Sequence, residues 1–466
     1  MIEVPAALQP VLLALGRAGR PRLVGGCVRD ALWGLPPGDI DVEVAGVTFD
    51  QLLTVLRPFG STNVVGRSFG TIKLRLAEQV YDFSLPRRES KTGAGHRGFK
   101  IEPDSNLTDR EAAARRDFTI NAMAWDPVEH RLIDPFAGQA DLQARVLRHT
   151  SAAFAEDPLR VLRAMQLAAR FGLILSPETA RLCARIKGTH AELPTERIWG
   201  EWWKWATQAT QPSAGLRVLA EADWLAHYPE IAALKGTPQD PEWHPEGDVF
   251  VHTGHCLDAL VTNPEWQGSP PERRATLMFA VLAHDFGKPS TTAQVEREGR
   301  LRWISPRHAQ AGVEPTRTFL TRVGAPLEFA PRIEPLVREH LVLHDFGEQP
   351  PSDSALRRLA RRLVPATIDD LCQVMIADRR GRPPRDDAAG VAAIRQFQAQ
   401  AQALAVARRP PPPLLLGRHL IARGMTPGPA FKPLLDRAYE AQLDGDYNDE
   451  AGALVWLDSH LRPAEG

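Results

Sequence analysis

Two carboxylates one residue apart, Asp39 and Asp41, follow a Gly25-Gly26-Cys27-Val28-Arg29-Asp30 stretch within Leu23 to Val44. Side chains alternate faces along a strand, so Asp39 and Asp41 share one edge while Ile40 and Val42 face a core. Carboxylates held side by side repel unless a cation lies between them, and Mg²⁺ takes a few carboxylates together with substrate phosphates. Gly25 and Gly26 carry no Cβ, so the backbone can turn sharply and bring its N–H groups against a phosphate at the start of a helix bearing Arg29 and Asp30. The chemistry this set could perform is metal-assisted phosphoryl transfer.

An isolated Asp-x-Asp is common on surface strands, but the combination with the glycine turn is not. It resembles the head motif of the polymerase-β-like nucleotidyltransferases, in the branch that holds tRNA CCA-adding enzymes and bacterial poly(A) polymerases. Asp82 lies mid-strand in Val80-Tyr-Asp-Phe-Ser-Leu. The family often carries an acid at the matching place, which would make Asp82 a third metal-reaching carboxylate; a solvent-facing strand aspartate is the other reading. Arg115-Arg-Asp-Phe-Thr-Ile-Asn-Ala-Met-Ala resembles the family's second motif. There Arg116 offers a planar fork to phosphate oxygens, and Asp117 an acceptor for a ribose 2′-OH. Glu156-Asp157-x-x-Arg160 resembles the family motif whose Asp and Arg act as an amino-acid template for the incoming base. Cytosine and adenine each present an amino donor beside a ring-nitrogen acceptor, whereas uracil and guanine present the reverse, so one carboxylate and one guanidinium select C and A together. Arg163, one turn on, is expected to hold the triphosphate with Arg29 and Arg116.

Further along, histidines gather on helical segments: Val251-His-Thr-Gly-His, Val281-Leu-Ala-His-Asp-Phe-Gly-Lys, Arg307-His-Ala-Gln and Arg338-Glu-His-Leu, with Ala377-Asp-Arg-Arg after them. Their order resembles the HD phosphohydrolase family. That resemblance implies a metal site on His252, His284, Asp285 and Asp378, with His308 and His340 at the places that bring a second metal in some members. Such ligands suit Mn²⁺, Fe²⁺, Ni²⁺ or Co²⁺. His255 is expected to be a satisfied structural histidine, and His344 is given no assignment. Cys27, Cys183, Cys256 and Cys372 stand far apart with no Cys-x-x-Cys pair, and are expected to be ordinary buried thiols.

These residues require a modular α+β chain. At 466 residues, length alone suggests about three domains. The pattern divides into a nucleotidyltransferase head with a small antiparallel or mixed sheet over 1–145, a helical neck carrying the base template over 146–240, an HD-type metal domain over 241–380 and a helical tail over 381–466. In the head, Gly70-Thr-Ile-Lys-Leu-Arg-Leu alternates as a strand, whereas Pro86 to Arg115 loses all periodicity and is expected to be a long loop. The neck opens on a helix whose stripe is Leu159, Leu162, Met165 and Ala169 and whose stop is Gly172. A second helix places Trp199, Trp202 and Trp203 at core spacing. In the tail, Val391 to Arg408 reads as a helix and Pro410 to Pro413 as a stiff spacer. The end of the chain resembles a small helical module of CCA-type proteins, with tRNA contacts expected there. Arg357, Arg358, Arg361 and Arg362 share one helix face, a basic surface available to RNA that, taken alone, is expected to be solvated.

Lys plus Arg number 56 and Asp plus Glu 57, so RNA is not gripped by bulk charge and any contact uses local basic faces. The N-terminus lacks a signal-peptide pattern and no apolar run spans a membrane, so a cytoplasmic protein is expected. The resemblance implies addition of CMP and AMP, from CTP and ATP, to the 3′ end of tRNA with Mg²⁺. It leaves open partial addition (A or CC only), poly(A) synthesis, and an RNA-binding HD phosphohydrolase with a degenerate head.

Overall fold

The computed structural model describes residues 2–36, 38–65, 70–91, 99–346, 350–385 and 387–461. The chain divides into two units, Met1–Tyr228 and Pro229–Gly466. The first opens with α1 (Gln9–Ala18), which buries Val11, Leu12 and Leu15 along one face, and runs into β1 (Arg20–Val24). Gly25 then takes φ 79°, a conformation that disfavours any side chain, and α2 (Gly26–Leu32) starts directly after it. β2 (Asp41–Ala45) and α3 (Phe49–Leu56) follow, the latter closed at its start by a Thr48/Gln51 capping box. The expected strands appear as β4 (Thr71–Leu76) and β5 (Gln79–Ser84), preceded by β3 (Ser61–Val65).

Pro86 to Arg115 is not the long loop its composition suggests. It contains an antiparallel hairpin, β6 (Arg87–Lys91) with β7 (Phe99–Pro103), and then α4 (Asp109–Ala114), capped by a reciprocal Thr108/Glu111 box. Backbone pairing makes strands of a charged sequence that side-chain alternation would not select. Residues 92–98 of that stretch lie outside the described residues. With β8 (Ala124–Asp126) and β9 (Arg131–Ile133), the main sheet has the order β3-β4-β5-β2-β1-β8-β9. It is mixed: β2 runs parallel to β5 and antiparallel to β1. Val42 and Val44 are fully buried on one face of β2, and Glu43 is buried too, so this central strand is covered on both sides.

The neck residues up to Tyr228 belong to the same unit, and 229–240 to the second. After α5 (Gly138–Ala144) and β10 (Val146–Leu147) comes α6 (Leu159–Phe171), with all four expected stripe residues buried and Gly172 as a left-handed stop at φ 62°. β11 (Ile174–Leu175), α7 (Pro177–Arg185), α8 (Thr195–Gln208) and α9 (Pro212–Glu221) complete it. The tryptophan stripe differs from expectation. Trp202 and Trp205 are the fully buried pair, with ring centroids 5.2 Å apart, while Trp199 and Trp203 are half-buried. The reason is phase: α8 packs Ile198, Trp202 and Trp205 inward, and that choice turns Trp199 and Trp203 toward its flank. Gly215 of α9 lies against Trp205 and the Met165 carbonyl, where a Cβ would stand 2.7 Å from that oxygen.

Among its described residues the second unit is helical apart from one hairpin, Ala293–Arg297 with Arg300–Ile304, which the histidine pattern does not announce. Its tail forms a small core of its own around Leu415, Leu420, Leu434, Ala438 and Leu457. The spacer is clamped rather than free, because Tyr439 donates to the Pro411 carbonyl at 2.7 Å and Gln442 to that of Pro412 at 2.9 Å. The arginine face is likewise not simply solvated. Arg358 pairs with Asp444 at 2.8 Å, Arg361 with Glu440, and Arg362 with Glu339 at 2.9 Å. Two of the four arginines are therefore spent on acids of the tail helix Phe431–Asp444. Among the described residues, no helix is long and apolar enough to cross a membrane.

Candidate functional site

The strand registers bring the head carboxylates together. Asp41 is the first residue of β2; across the parallel pair it faces Asp82 of β5, and across the antiparallel pair Val24, the last residue of β1 before the glycine turn. Asp39 stands in the bend ahead of β2 rather than in the strand, exposed like Asp41. Partial burial, then the charges of Asp82 and Asp39, push the Asp41 carboxyl above the ordinary range, with Arg116 and Lys73 pulling the other way. A site crowded with negative charge where central strands begin and end suits a divalent cation. Lys73, which sequence reading did not single out, lies opposite Asp82 in β4 and holds both of its oxygens at 2.8 and 2.9 Å.

Arg116 reaches the glycine turn: a Cβ on Gly25 would lie 3.2 Å from its guanidinium. Its neighbour Arg115 is tied to buried Glu43 at 2.7 Å. Arg29, expected to hold phosphate, is instead buried. It donates to Asp30 at 2.6 and 2.8 Å and to Asn121 at 2.7 Å, with its guanidinium 4.4 Å over the Phe171 ring. Asn121 passes the contact on, donating to Asp117 at 3.0 Å.

Asp117, expected to accept from a ribose, has its oxygens engaged within the protein. Arg163 donates to Oδ2 at 2.7 Å, and the Phe118 N–H and Asn121 to Oδ1. Burial pushes its carboxyl up, but Arg163 and these donors outweigh it and hold it down to about 2. Arg163, expected to hold the triphosphate, is the ion-pair partner of Asp117. Arg163, Asp117, Asn121, Arg29 and Asp30 thus form one polar chain, buried but for the half-buried Arg163, that ties α6, the second motif and the glycine-turn helix into a single body. Leaving any member unpaired would cost about 1–3 kcal/mol, more for the charged ones.

The two template residues do not meet each other. Asp157 accepts from the Leu159 N–H at 3.1 Å, capping α6, and from Arg197 of α8 at 2.9 Å. Arg160 donates to the carbonyls of Ala153 at 2.9 Å and Arg115 at 2.6 Å. Arg197 is a residue sequence reading missed; its place three residues after Pro194 gave no signal that it faces Asp157.

In the second unit the expected ligands converge. His252 Nε2 lies 3.1 Å from Asp378 and 3.7 Å from Asp285; His284 Nε2 is 3.2 Å from Asp285 Oδ2; His308 Nε2 is 3.3 Å from Asp285 Oδ1 and 3.3 Å from His340 Nε2. Each ring's Nδ1 faces an oxygen: Glu246 for His252 at 2.7 Å, and the carbonyls of Val281, Ser305 and Val337 for His284, His308 and His340 at 2.6, 2.7 and 2.7 Å. A proton on Nδ1 satisfies those oxygens and leaves every Nε2 as a lone pair aimed inward. Two such lone pairs at 3.3 Å, beside carboxylates, have no proton to share. His284 Nε2 makes no well-aligned hydrogen bond although Asp285 Oδ2 stands 3.2 Å away, and Asp285 Oδ2 is met by the Lys288 ammonium as an ion pair. Imidazole nitrogens and carboxylate oxygens converge here in numbers that fit a metal cation, with Lys288 and Arg382 as the flanking donors. With no such charge present, burial lowers His284 but Asp285 overrides it and raises the ring to about 10, while burial and the neighbouring His284 and His308 push His340 down to about 3.

Lys288 pairs with Asp285 at 2.7 Å and Arg382 holds Asp378 at 2.7 Å, two cations that sequence reading did not assign. His344 touches Arg379 at 3.2 Å at the rim of the cavity. His255, expected to be a satisfied structural histidine, is exposed, because one turn carries Cys256 rather than His255 onto the inward face of the helix Val249–Val261. All four cysteines are free and buried, and Cys256 stands within the cluster, 3.3 Å from His252 Nε2.

A glycine turn before a short helix, carboxylates on paired central strands and an arginine over the turn define a nucleotidyltransferase head. Residues 21–148 match the family model described as the poly A polymerase head domain. The chain is 39% identical over 380 residues to the multifunctional CCA protein of Xanthomonas euvesicatoria pv. vesicatoria (strain 85-10), covering 79% of this chain and 86% of that one; it belongs to the family of multifunctional CCA proteins. Solved structures share the fold. The Bacillus stearothermophilus CCA-adding enzyme in complex with CTP is similar at TM-score 0.63 and 20% identity, covering 98% of each chain. The Thermotoga maritima CCA-adding enzyme complexed with tRNA is similar at TM-score 0.61 and 21% identity, covering 99% of this chain and 97% of that one.

Proposed function

We propose that this chain builds or repairs the CCA end of tRNA, transferring CMP and AMP from CTP and ATP to the 3′-hydroxyl without a nucleic-acid template. The observation that carries the reading is the juxtaposition of Asp41 with Asp82 across β2 and β5, with Asp39 beside them and the Gly25 turn one strand away. Asp39 and Asp41, with Asp82, would hold Mg²⁺, which when bound lowers the pKa of the attacking hydroxyl and neutralises charge on the phosphates. Lys73 steadies Asp82, Arg116 and the backbone N–H groups after Gly25 bind phosphate oxygens, and the polar chain from Arg163 to Asp30 keeps these parts in register.

Asp157 and Arg160 are the base-reading pair in this proposal. Asp157 accepts from the amino group of C or A, taking that donor in exchange for Arg197, while Arg160, steadied by two backbone carbonyls, faces the ring nitrogen. Asp157→Ala is expected to reduce kcat/KM for CTP and ATP by about 10- to 100-fold, the ~1.5–3 kcal/mol of a hydrogen bond to a charged group. UTP and GTP, already mismatched, should change little, so the selectivity gap narrows. The check is kcat/KM for all four nucleotides on one tRNA acceptor; an unchanged ratio of CTP to UTP would place base choice elsewhere.

The histidine–aspartate cluster supports a second activity. Metal-dependent hydrolysis of a phosphate ester or cyclic phosphate fits two groups of inward lone pairs on either side of Asp285, His252, His284 and Asp378 on one and His308 and His340 on the other, binding Mn²⁺, Fe²⁺, Ni²⁺ or Co²⁺. In this reading 1–145 is the head, 146–240 the neck, 241–380 the HD-type domain and 381–466 the tail that meets tRNA. The intact head carboxylates argue against a hydrolase that merely grips RNA.

A further inference from the structure

We propose that Cys256 is a metal ligand, completing a mixed His252, Cys256, His284, Asp378 site that takes a borderline-soft ion such as Zn²⁺, Co²⁺ or Fe²⁺ in preference to Mg²⁺. The inference rests on the metal-hydrolase reading of this cluster and adds to it a thiolate that the four-residue His and Asp set does not contain. His252 and Cys256 are one helical turn apart on the helix Val249–Val261, so both side chains project from the same face. The ligand atoms of the four residues all lie within 4.8 Å of one another, and all four side chains are buried. The closest separations, 3.1 Å from His252 Nε2 to Asp378 and 3.3 Å from the same nitrogen to Cys256 Sγ, match the ~3.5 Å edges of a tetrahedron with bonds of ~2.0–2.3 Å.

The plain alternative is a neutral thiol donating one weak hydrogen bond. It leaves the balance short, because a single S–H cannot satisfy the His252 and His284 lone pairs together, and the other group beside His284 Nε2, the Asp285 carboxylate at 3.2 Å, makes no well-aligned bond and has no proton to give. A cation satisfies all of them at once, and thiolate plus carboxylate neutralise its two charges. The backbone opposite is shaped to leave the sulfur room. Gly381 lies against it, so that a Cβ there would stand 2.2 Å from Cys256 Sγ, and the Gly381 carbonyl faces His252 Nδ1 at 3.1 Å. One residue therefore both clears space for the thiol and orients the neighbouring imidazole.

The test uses the full chain, stripped with chelator and titrated with Co²⁺. Bound cobalt should show a thiolate-to-metal charge-transfer band in the near ultraviolet. Cys256→Ser should abolish that band and raise the Co²⁺ Kd at least ~10-fold, whereas Cys372→Ser, at a buried cysteine outside the cluster, should leave it intact. Gly381→Ala should shift or weaken the band without removing any ligand. Cobalt bound without the band, or a band that survives Cys256→Ser, overturns thiolate ligation and leaves the hydrolase reading standing; no cobalt uptake overturns both. The wild-type spectrum decides by itself should a variant fail to fold.

Discussion

Asp41→Ala is expected to abolish nucleotide addition, by about 1,000-fold or more, while leaving the protein as stable as before. The loss follows from the charge the strand edge supplies: a metal-stabilised transition state depends on several kcal/mol of electrostatics, and ~4 kcal/mol is already three decades of rate. The retained stability follows from the same geometry. Asp41 as a residue is exposed while its carboxyl group is partly desolvated and faces the charges of Asp82 and Asp39, which raise it, so its removal relieves repulsion without opening a core cavity. Incorporation of labelled CMP and AMP, read beside a thermal melt, checks both halves. Normal incorporation by a folded Asp41→Ala protein would mean that the reacting centre lies elsewhere.

His284→Ala is expected to have the opposite profile. It should remove metal-dependent hydrolysis of a phosphomonoester or 2′,3′-cyclic phosphate by at least ~100-fold, since losing a direct ligand costs no less than losing the groups that orient one. CMP and AMP addition should be unchanged, because the cluster lies in the Pro229–Gly466 unit and the head carboxylates in the Met1–Tyr228 unit. His284 is fully buried, so the same assays on Asp285→Asn, which keeps the volume, separate metal loss from misfolding. If either variant, correctly folded, loses both activities, the two sites are not independent.

How much of this was legible from the sequence depended on how local each arrangement is. Asp39 and Asp41 could be read because strand alternation carries them to one edge, and α6 because its apolar stripe, first-turn acids and terminal glycine all agree. His252, His284, His308, His340 and Asp378 could be listed in order, although only the fold shows that every Nδ1 is tied to an oxygen and every Nε2 turned inward. Partners distant in sequence were silent. Asp117 and Arg163 lie 46 positions apart, and nothing local in the sequence shows that they pair with each other. Lys73 owes its role to a strand register, and Arg197 to the packing of α8 beside α6. The β6–β7 hairpin was missed because its strands are charged, and the phase of the tryptophans because i, i+3, i+4 spacing fits more than one face of a helix. Cys256 was hidden by a different habit, counting cysteines against one another when its partner is a histidine four residues earlier.

The central claim, that this chain builds the CCA end, is tested most directly by product length on defined acceptors. A tRNA ending before CCA, one ending after C and one ending after CC are each incubated with the protein, Mg²⁺, CTP and ATP, and the products resolved at single-nucleotide resolution. The predicted result is C, then C, then A on the first acceptor, completion of the same end on the other two, and no further growth once the terminal A is in place. An open-ended run of A, or extension confined to a single one of the three acceptors, would contradict it.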